Sequence, residues 1–446
     1  MDCEGGLALP APAPLAAVAA SGAGASGGAR RRPVKVVHLY CGIDAVRPAL
    51  DQVYGSGNYE VVLSVDKRNF GKVSNQPLFD THKENYGEEP MDDLCSPPVL
   101  EAAKKHAGQV ALAVAGFCCQ PFAHGGGKLG LGDRRHDEPF AACLAILAAV
   151  RPDVILLENS AELNTKEDSL VGSLRTYFGK LLREMGYIVS DAILNSVFFE
   201  GCGTSRRRMF FVATRDLVPR QTCQFTFYTL TSLRECQTME SCLLPLDHAD
   251  MPAKTIQPIV YDSTDKLGGA GYGEGCRRIG RLQLGKGTVG KPKVVSQMYR
   301  VYSSDGAYPA ICTASLCRHY DPPDGVRLKK EGKYVGEIRV VEAEPSYVVL
   351  DKRFTPPRAR VLAMRELYNL MGFPATFTFN KDPKEALKHI GNSIAVPVLV
   401  GILRELAEQG FLPAALPAVV SGGAGGAIAA ARPSLGAAAP HVLLPP

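Results

Sequence analysis

Cys118 and Cys119 stand side by side in the stretch Ala115-Gly116-Phe117-Cys118-Cys119-Gln120-Pro121-Phe122, where an apolar run gives way to a glycine-rich loop. As residue types they allow inert core thiols, metal ligands, a redox pair, or one nucleophile beside a bystander. Neighbouring cysteines rarely bridge each other, because that geometry is strained. The thirteen cysteines include no CxxC pair and no Cys/His grouping with finger-like spacing, which argues against structural zinc, and no metal is expected. An odd, irregularly spaced set of thiols fits a reducing, intracellular compartment. Other reactive types lie further along the chain: Asp66, the pair Glu158-Asn159, and Arg206 and Arg208 within a run of three arginines.

The elements around these residues alternate. Residues 34–40 read as a strand, with a helix over 46–54 and a second strand over 60–65 that ends at Asp66. Residues 109–115 form the next strand, ahead of a helix at 140–150. The β-branched run 153–157 ends at Glu158, and a helix over 169–185 leads to strands at 187–197 and 208–213. Strands alternating with helices predict an α/β fold with a parallel, Rossmann-like sheet covered on both faces. Between 220 and 355 the pattern dissolves into Gly, Pro, Lys and Arg with short β-like pieces, which predicts a smaller irregular domain. Helical periodicity over "RARVLAMRELYNLMGF" and "NSIAVPVLVGILRELAEQ" returns the chain to the first domain over 356–411. The catalytic part is thus expected over 34–219 and 356–411. The Ala/Gly/Pro-rich segments 1–33 and 412–446 read as disordered tails, the first with a processed leader as the other option.

In an open parallel sheet, ligands bind beyond the carboxyl ends of the strands. One rim would then gather Tyr40-Cys41-Gly42, Asp66, Phe117-Cys118-Cys119-Gln120, Glu158-Asn159, Arg206 and Arg208. In order, these stretches resemble the cytosine-5 methyltransferases that use S-adenosylmethionine. "LYCGIDA" is similar to the cofactor motif, "SVDKRNF" to the ribose-binding strand end, and "GFCCQPFA" to the Pro-Cys-Gln nucleophile loop. "LLENSAEL" resembles the Glu-Asn-Val motif and "GTSRRRMFFVA" the QxRxR motif, while "RELYNLMGFP" and "IGNSIAVPVLVGIL" look like the last two. The irregular insert falls where that family keeps its target-recognition domain.

The resemblance implies a mechanism. Carbon 5 of cytosine is a poor nucleophile until a thiolate, here Cys119, adds to carbon 6 and makes the ring an enamine. Glu158 would supply the donor at nitrogen 3. Arg206 and Arg208 would hold the base carbonyl and a phosphate and help keep Cys119 ionised. The base must leave the duplex to be reached, and Phe117, Asn159 and Gln120 would line its pocket. For the cofactor, the implied residues are Tyr40, Gly42, Asp66 on the ribose, Asp93 on the adenine amino group, Gln120, Asn392 and Ser393, with Asn392 also bracing the recognition domain.

The chain departs from the family pattern at several positions. Cys118 replaces proline, Ala123 replaces serine, Asp44 and Ala45 stand for two glycines, and Ser64 stands where a glutamate is usual. Ser160 replaces valine and Thr204 replaces glutamine. Three alternatives stay open: methylation of transfer RNA, a catalytically weakened homologue that binds nucleic acid, and a dinucleotide oxidoreductase, against which the missing GxGxxG speaks. The net charge of +5 permits a polyanionic partner. DNA is the expected partner, with RNA possible, bound by a monomer away from any membrane. The nucleus leads over plastid or bacterial cytoplasm as the place of work.

Overall fold

A computed structural model describes residues 32–70, 73–117, 137–168, 171–215, 224–250, 259–267, 276–282, 300–304, 306–311, 318–320, 340–342, 348–354 and 358–415. Cys118, Cys119 and Gln120 fall outside these residues. The main sheet has seven strands: β1 (Val34–Leu39), β2 (Tyr59–Asp66), β3 (Met91–Asp92), β4 (Leu112–Gly116), β5 (Val154–Ser160), β6 (Tyr187–Asn195) and β7 (Arg207–Arg215). Their order is β6-β7-β5-β4-β1-β2-β3. Only β7 runs against the others, pairing antiparallel with both β5 and β6. Chain order therefore reverses between β1 and β4, and a crevice opens there at the carboxyl ends of the strands.

Eight helices of seven or more residues are described: α1 (Val46–Tyr54), α2 (Gln76–Tyr86), α3 (Pro97–Lys104), α4 (Asp137–Val150), α5 (Leu174–Glu184), α6 (Met364–Leu370), α7 (Pro383–Asn392) and α8 (Val396–Glu408). Side chains alternate across each strand, and both sets are apolar, as a sheet covered on both faces requires. Leu112, Val114, Val154, Leu156, Phe210 and Val212 join the core beneath α1, α2, α7 and α8. Ala113, Ala115, Ile155, Leu157, Met209 and Phe211 join the core beneath α3, α4 and α5. The α/β reading is correct.

Three elements escaped the sequence reading. Helix α2 starts with Pro77 in its first turn and ends at the left-handed Gly87, while α3 opens on two prolines after Ser96. Strand β3 has only two residues, too short to show a period. Conversely, "RARV" was expected to be helical and is instead a strand, β12 (Arg358–Val361). It pairs antiparallel with β11 (Val348–Asp351) in a second sheet, and the helix begins only at Met364. That sheet also holds β8 (Ile259–Leu267), β9 (Arg277–Leu282) and β10 (Arg300–Ser303), in the order β8-β9-β10-β11-β12. The second sheet thus runs past residue 355, where the catalytic part was expected to resume.

The segment Pro383–Glu408 is long and apolar enough by composition to cross a membrane. It is interrupted between α7 and α8, and both helices bury their apolar residues in the core above β1, β4 and β5.

Candidate active site

The loop after β1 is held closely. Cys41 N–H donates to Val65 O at 3.1 Å and Asp44 N–H to Cys41 O at 2.8 Å, closing a tight turn. Gly42 N–H donates to Asp66 Oδ2 at 2.7 Å, and Lys67 N–H to Asp66 Oδ1 at 2.7 Å. Gly42 has φ +56°, and a Cβ built on it would meet nothing within 4 Å among the described residues. Tyr40 at φ +53° and Asp44 at φ +61° flank it in the left-handed region that L-residues rarely adopt. Such conformations collect at ligand sites. Burial of the Asp66 carboxyl pushes its pKa up, against the two backbone donors. Each of its oxygens keeps accepting capacity beyond the bond it makes.

Asp93, just past β3, shares this rim. Its amide donates to Asp66 O at 2.8 Å, and its carboxylate pairs with Lys67 Nζ at 3.1 Å. Burial would raise the pKa of Asp93, but the Cys95 amide and Lys67 hold it below the ordinary value. Lys67 was not singled out from the sequence. It follows Asp66 directly, and only the arrival of β3 beside β2 gives it a partner.

The second group of residues lies across the crevice, on β4, β5 and β7. Glu158 is 7% exposed and pairs with Arg208, Oε1 to Nε at 3.0 Å. Burial pushes its pKa up, opposed by Arg208 and then Arg206. A buried carboxyl that holds its proton at higher pH suits a general acid. Gly116 pairs with Glu158 in register, and a Cβ there would lie 3.5 Å from Glu158 Oε2. The chain therefore enters the segment that carries Cys118 and Cys119 directly over Glu158.

Other expected contact residues are occupied differently. Phe117 is 2% exposed, with its ring 4.9 Å from that of Phe140 and 5.0 Å from that of Phe178, in the core. Its ring is packed into the core beneath α4 and α5. Asn159 is fully buried, donating through Nδ2 to Phe117 O at 3.0 Å and accepting Ser160 N–H at 2.8 Å. It clamps the start of the loop to β5.

The two arginines also separate. Arg208 sits on the acid, whereas Arg206 is 4% exposed and donates to three backbone carbonyls. These are Ile311 O at 3.3 Å, Gly391 O at 3.0 Å and Ser393 O at 2.9 Å. Its own amide donates to Ser196 Oγ at 3.1 Å. Next to it, Thr204–Ser205 pairs in parallel with Tyr308–Pro309, and Thr204 Oγ1 donates to Pro309 O at 3.2 Å. Bracing of the insert against the "GNS" segment thus runs through Arg206 and two carbonyls, while the Asn392 side chain is exposed at the end of α7. Ser393 is half-buried and contributes its carbonyl to the same brace.

Comparison with known proteins agrees with this geometry. The C-5 cytosine-specific DNA methylase family matches residues 34–408. The type II methyltransferase M1.ScrFI of Lactococcus lactis subsp. cremoris is 25% identical over 379 residues, covering 84% of this chain and 78% of its own. M.HaeII of Haemophilus aegyptius is 24% identical over 371 residues, covering 82% and 91%. A prophage-encoded DNA modification methyltransferase from E. coli shares the fold at a TM-score of 0.51 and 16% identity, over 84% of this chain and 99% of the other. With the match running from β1 to the last turn of α8, the chain belongs to the C-5 cytosine-specific DNA methylases, which methylate cytosine in DNA with S-adenosylmethionine.

Proposed function

We propose that the methylation runs through a covalent Cys119 adduct on a cytosine flipped out of DNA, with Glu158 as the acid and Arg208 as its partner. The observation that carries this reading is the buried Glu158–Arg208 pair directly beside Gly116, where the nucleophile loop begins. The Cys119 thiolate forms a bond to carbon 6, and the electron pair displaced through the ring is met by a proton from Glu158 at nitrogen 3. Bound S-adenosylmethionine supplies the electrophilic methyl group that carbon 5 takes. Loss of the carbon 5 proton to water then expels the thiolate, and nitrogen 3 returns its proton to Glu158. Arg208 keeps the acid oriented and offers its remaining N–H groups to the base carbonyl, while Arg206 positions the loops around it.

For the cofactor we assign Gly42 and Tyr40 in the open loop, Asp66 to the ribose hydroxyls and Asp93 to the adenine amino group. Gln120, Asn392 and Ser393 complete the pocket. The irregular insert is assigned to reading the target sequence, by a monomer on its DNA. Transfer of labelled methyl groups, offered duplex DNA and total transfer RNA together, tests the reading. Label is expected in DNA, lost in Cys119→Ser and retained in Cys118→Ser. Label in RNA alone, or a dead Cys118→Ser with an active Cys119→Ser, would overturn it.

A further inference from the structure

Asp44 stands where the family's first motif has glycine, and its carboxylate is fully buried. Its surroundings come from three elements. Oδ1 lies 2.9 Å from Nδ1 of His38 on β1 and accepts Arg47 N–H at 3.2 Å. Oδ2 accepts from Arg47 Nε on α1 at 3.0 Å and lies 3.5 Å from Nε2 of His82 on α2. The Asp44 carbonyl accepts the Tyr86 hydroxyl at 2.8 Å. Beyond this shell, Arg47 also pairs with Glu88 and lies over the Tyr86 ring, and His82 Nδ1 lies 2.8 Å from Glu88 O. Cys41 in the same turn, itself close to Asp66, and Tyr59 on β2 are further titratable neighbours.

We propose that Asp44 is a positioning residue for the methyl-donor loop, fixing through side-chain pairing the turn that glycine in relatives leaves to backbone freedom. The proposal rests on the assignment of residues 40–45 to the cofactor. The carboxylate does not face the crevice: it points into the layer between β1, α1 and α2, so it neither meets nor opposes the sulfonium charge. What it controls is the turn. Asp44 N–H closes that turn on Cys41 O, and the amide of Gly42 inside it is aimed at Asp66. The ribose acid and the loop are thereby set by one network, anchored on α2. Burial alone would raise the pKa of Asp44, but His38 and then His82 hold it well below the ordinary carboxylate range. The group is therefore an acceptor only, and His38 Nδ1 donates to it.

Two substitutions separate pairing from backbone freedom. Asp44→Asn keeps the shape and tolerates the left-handed conformation, and Asp44→Gly restores the residue of the family motif. Both remove the carboxylate that His38, Arg47 and His82 share, leaving Arg47 with Glu88. Each is expected to raise KM for S-adenosylmethionine about tenfold, equal to about 1.4 kcal/mol of cofactor binding. KM for DNA should stay put and kcat should fall by a smaller factor. His82→Gln, which leaves the loop sequence intact, should shift cofactor KM in the same direction. Calorimetric titration of S-adenosylmethionine into the complete wild-type chain is run alongside. If the wild type binds and all three variants keep its cofactor KM, Asp44 has no positioning role. If Asp44→Gly alone matches or betters the wild type, the turn needs only a free φ and the proposal falls. A wild type that binds no S-adenosylmethionine would instead overturn the assignment of the loop itself. Thermal melts of each variant show whether an altered KM belongs to a folded protein. Should both Asp44 variants melt early, His82→Gln decides alone, and an unchanged cofactor KM there refutes the proposal.

Discussion

Replacing Arg206 by methionine removes a guanidinium while keeping a long apolar stem, and it decides between two roles for that arginine. In the structure its head is spent on Ile311 O, Gly391 O and Ser393 O, carbonyls from segments more than 100 residues away in sequence. Each buried carbonyl left without a donor costs about 1–3 kcal/mol. Part of that is returned because a buried charge no longer has to be desolvated, so a net loss of about 3–5 kcal/mol is expected. At about 2–4 °C per kcal/mol for domains of this scale, the melting temperature should fall by roughly 6–20 °C. Differential scanning calorimetry of the complete chain measures this. Hydrogen exchange should show new opening at 308–311 and 391–393. A phosphate ligand would behave otherwise: the melting temperature would hold, and the salt slope of DNA binding would shrink by about 0.9. That second outcome would refute the reading of Arg206 as a brace.

Glu158→Gln should lower kcat by about 10²–10⁴, the usual worth of a general acid, read in single-turnover transfer. Because burial raises the pKa of Glu158, its protonated form favours the fold below the unfolded value, and that contribution is lost as pH rises through the folded value. The melting temperature of Glu158→Gln relative to wild type should therefore climb as pH rises from acid to neutral. Arg208→Met removes the main charge opposing that shift, and the pH profile of transfer should move to higher pH. Asn159→Ala removes the buried bonds to Phe117 O and from Ser160 N–H, which should destabilise the fold by about 1–3 kcal/mol in urea titrations. Phe178→Ala empties the site shared with Phe117 and Phe140 and should cost about 3–5 kcal/mol by the same assay.

Much of the architecture could be read from the sequence because its main strands are buried on both faces and end on chemically distinctive residues. Runs such as Val154–Leu157 announce themselves, and Glu158 follows where a strand end must be. Short elements carry no such period, so Met91–Asp92 and the proline-led α2 and α3 went unseen. "RARV" had helical neighbours and became a strand only because Val348–Asp351 lies beside it, a contact that sequence spacing does not contain. Within the site, residue types were legible and their directions were not. Phe117 and Asn159 sit where a base-contacting role was expected, yet strand alternation turns the ring of Phe117 into the lower core and a hydrogen bond ties Asn159 to β4. Asp44 illustrates the limit most clearly. In the sequence it is only a departure from the usual glycine, and the arrival of α2, an unforeseen helix, shows where much of its charge is answered.

On the proposed assignment of the insert to target reading, the joint between Thr204–Ser205 and Tyr308–Pro309 bears on how specificity can be transplanted within this enzyme. Exchanging the whole span from 220 to 355 would carry away one half of the joint, including the Ile311 carbonyl under Arg206. A chimaera built that way must bring its own edge to stitch onto the β6–β7 hairpin. Cutting instead on the far side of Tyr308 through Ile311 leaves the seam with the host and hands over only the segments beyond it. A graft point that preserves this seam lies inside the insert, not at its ends.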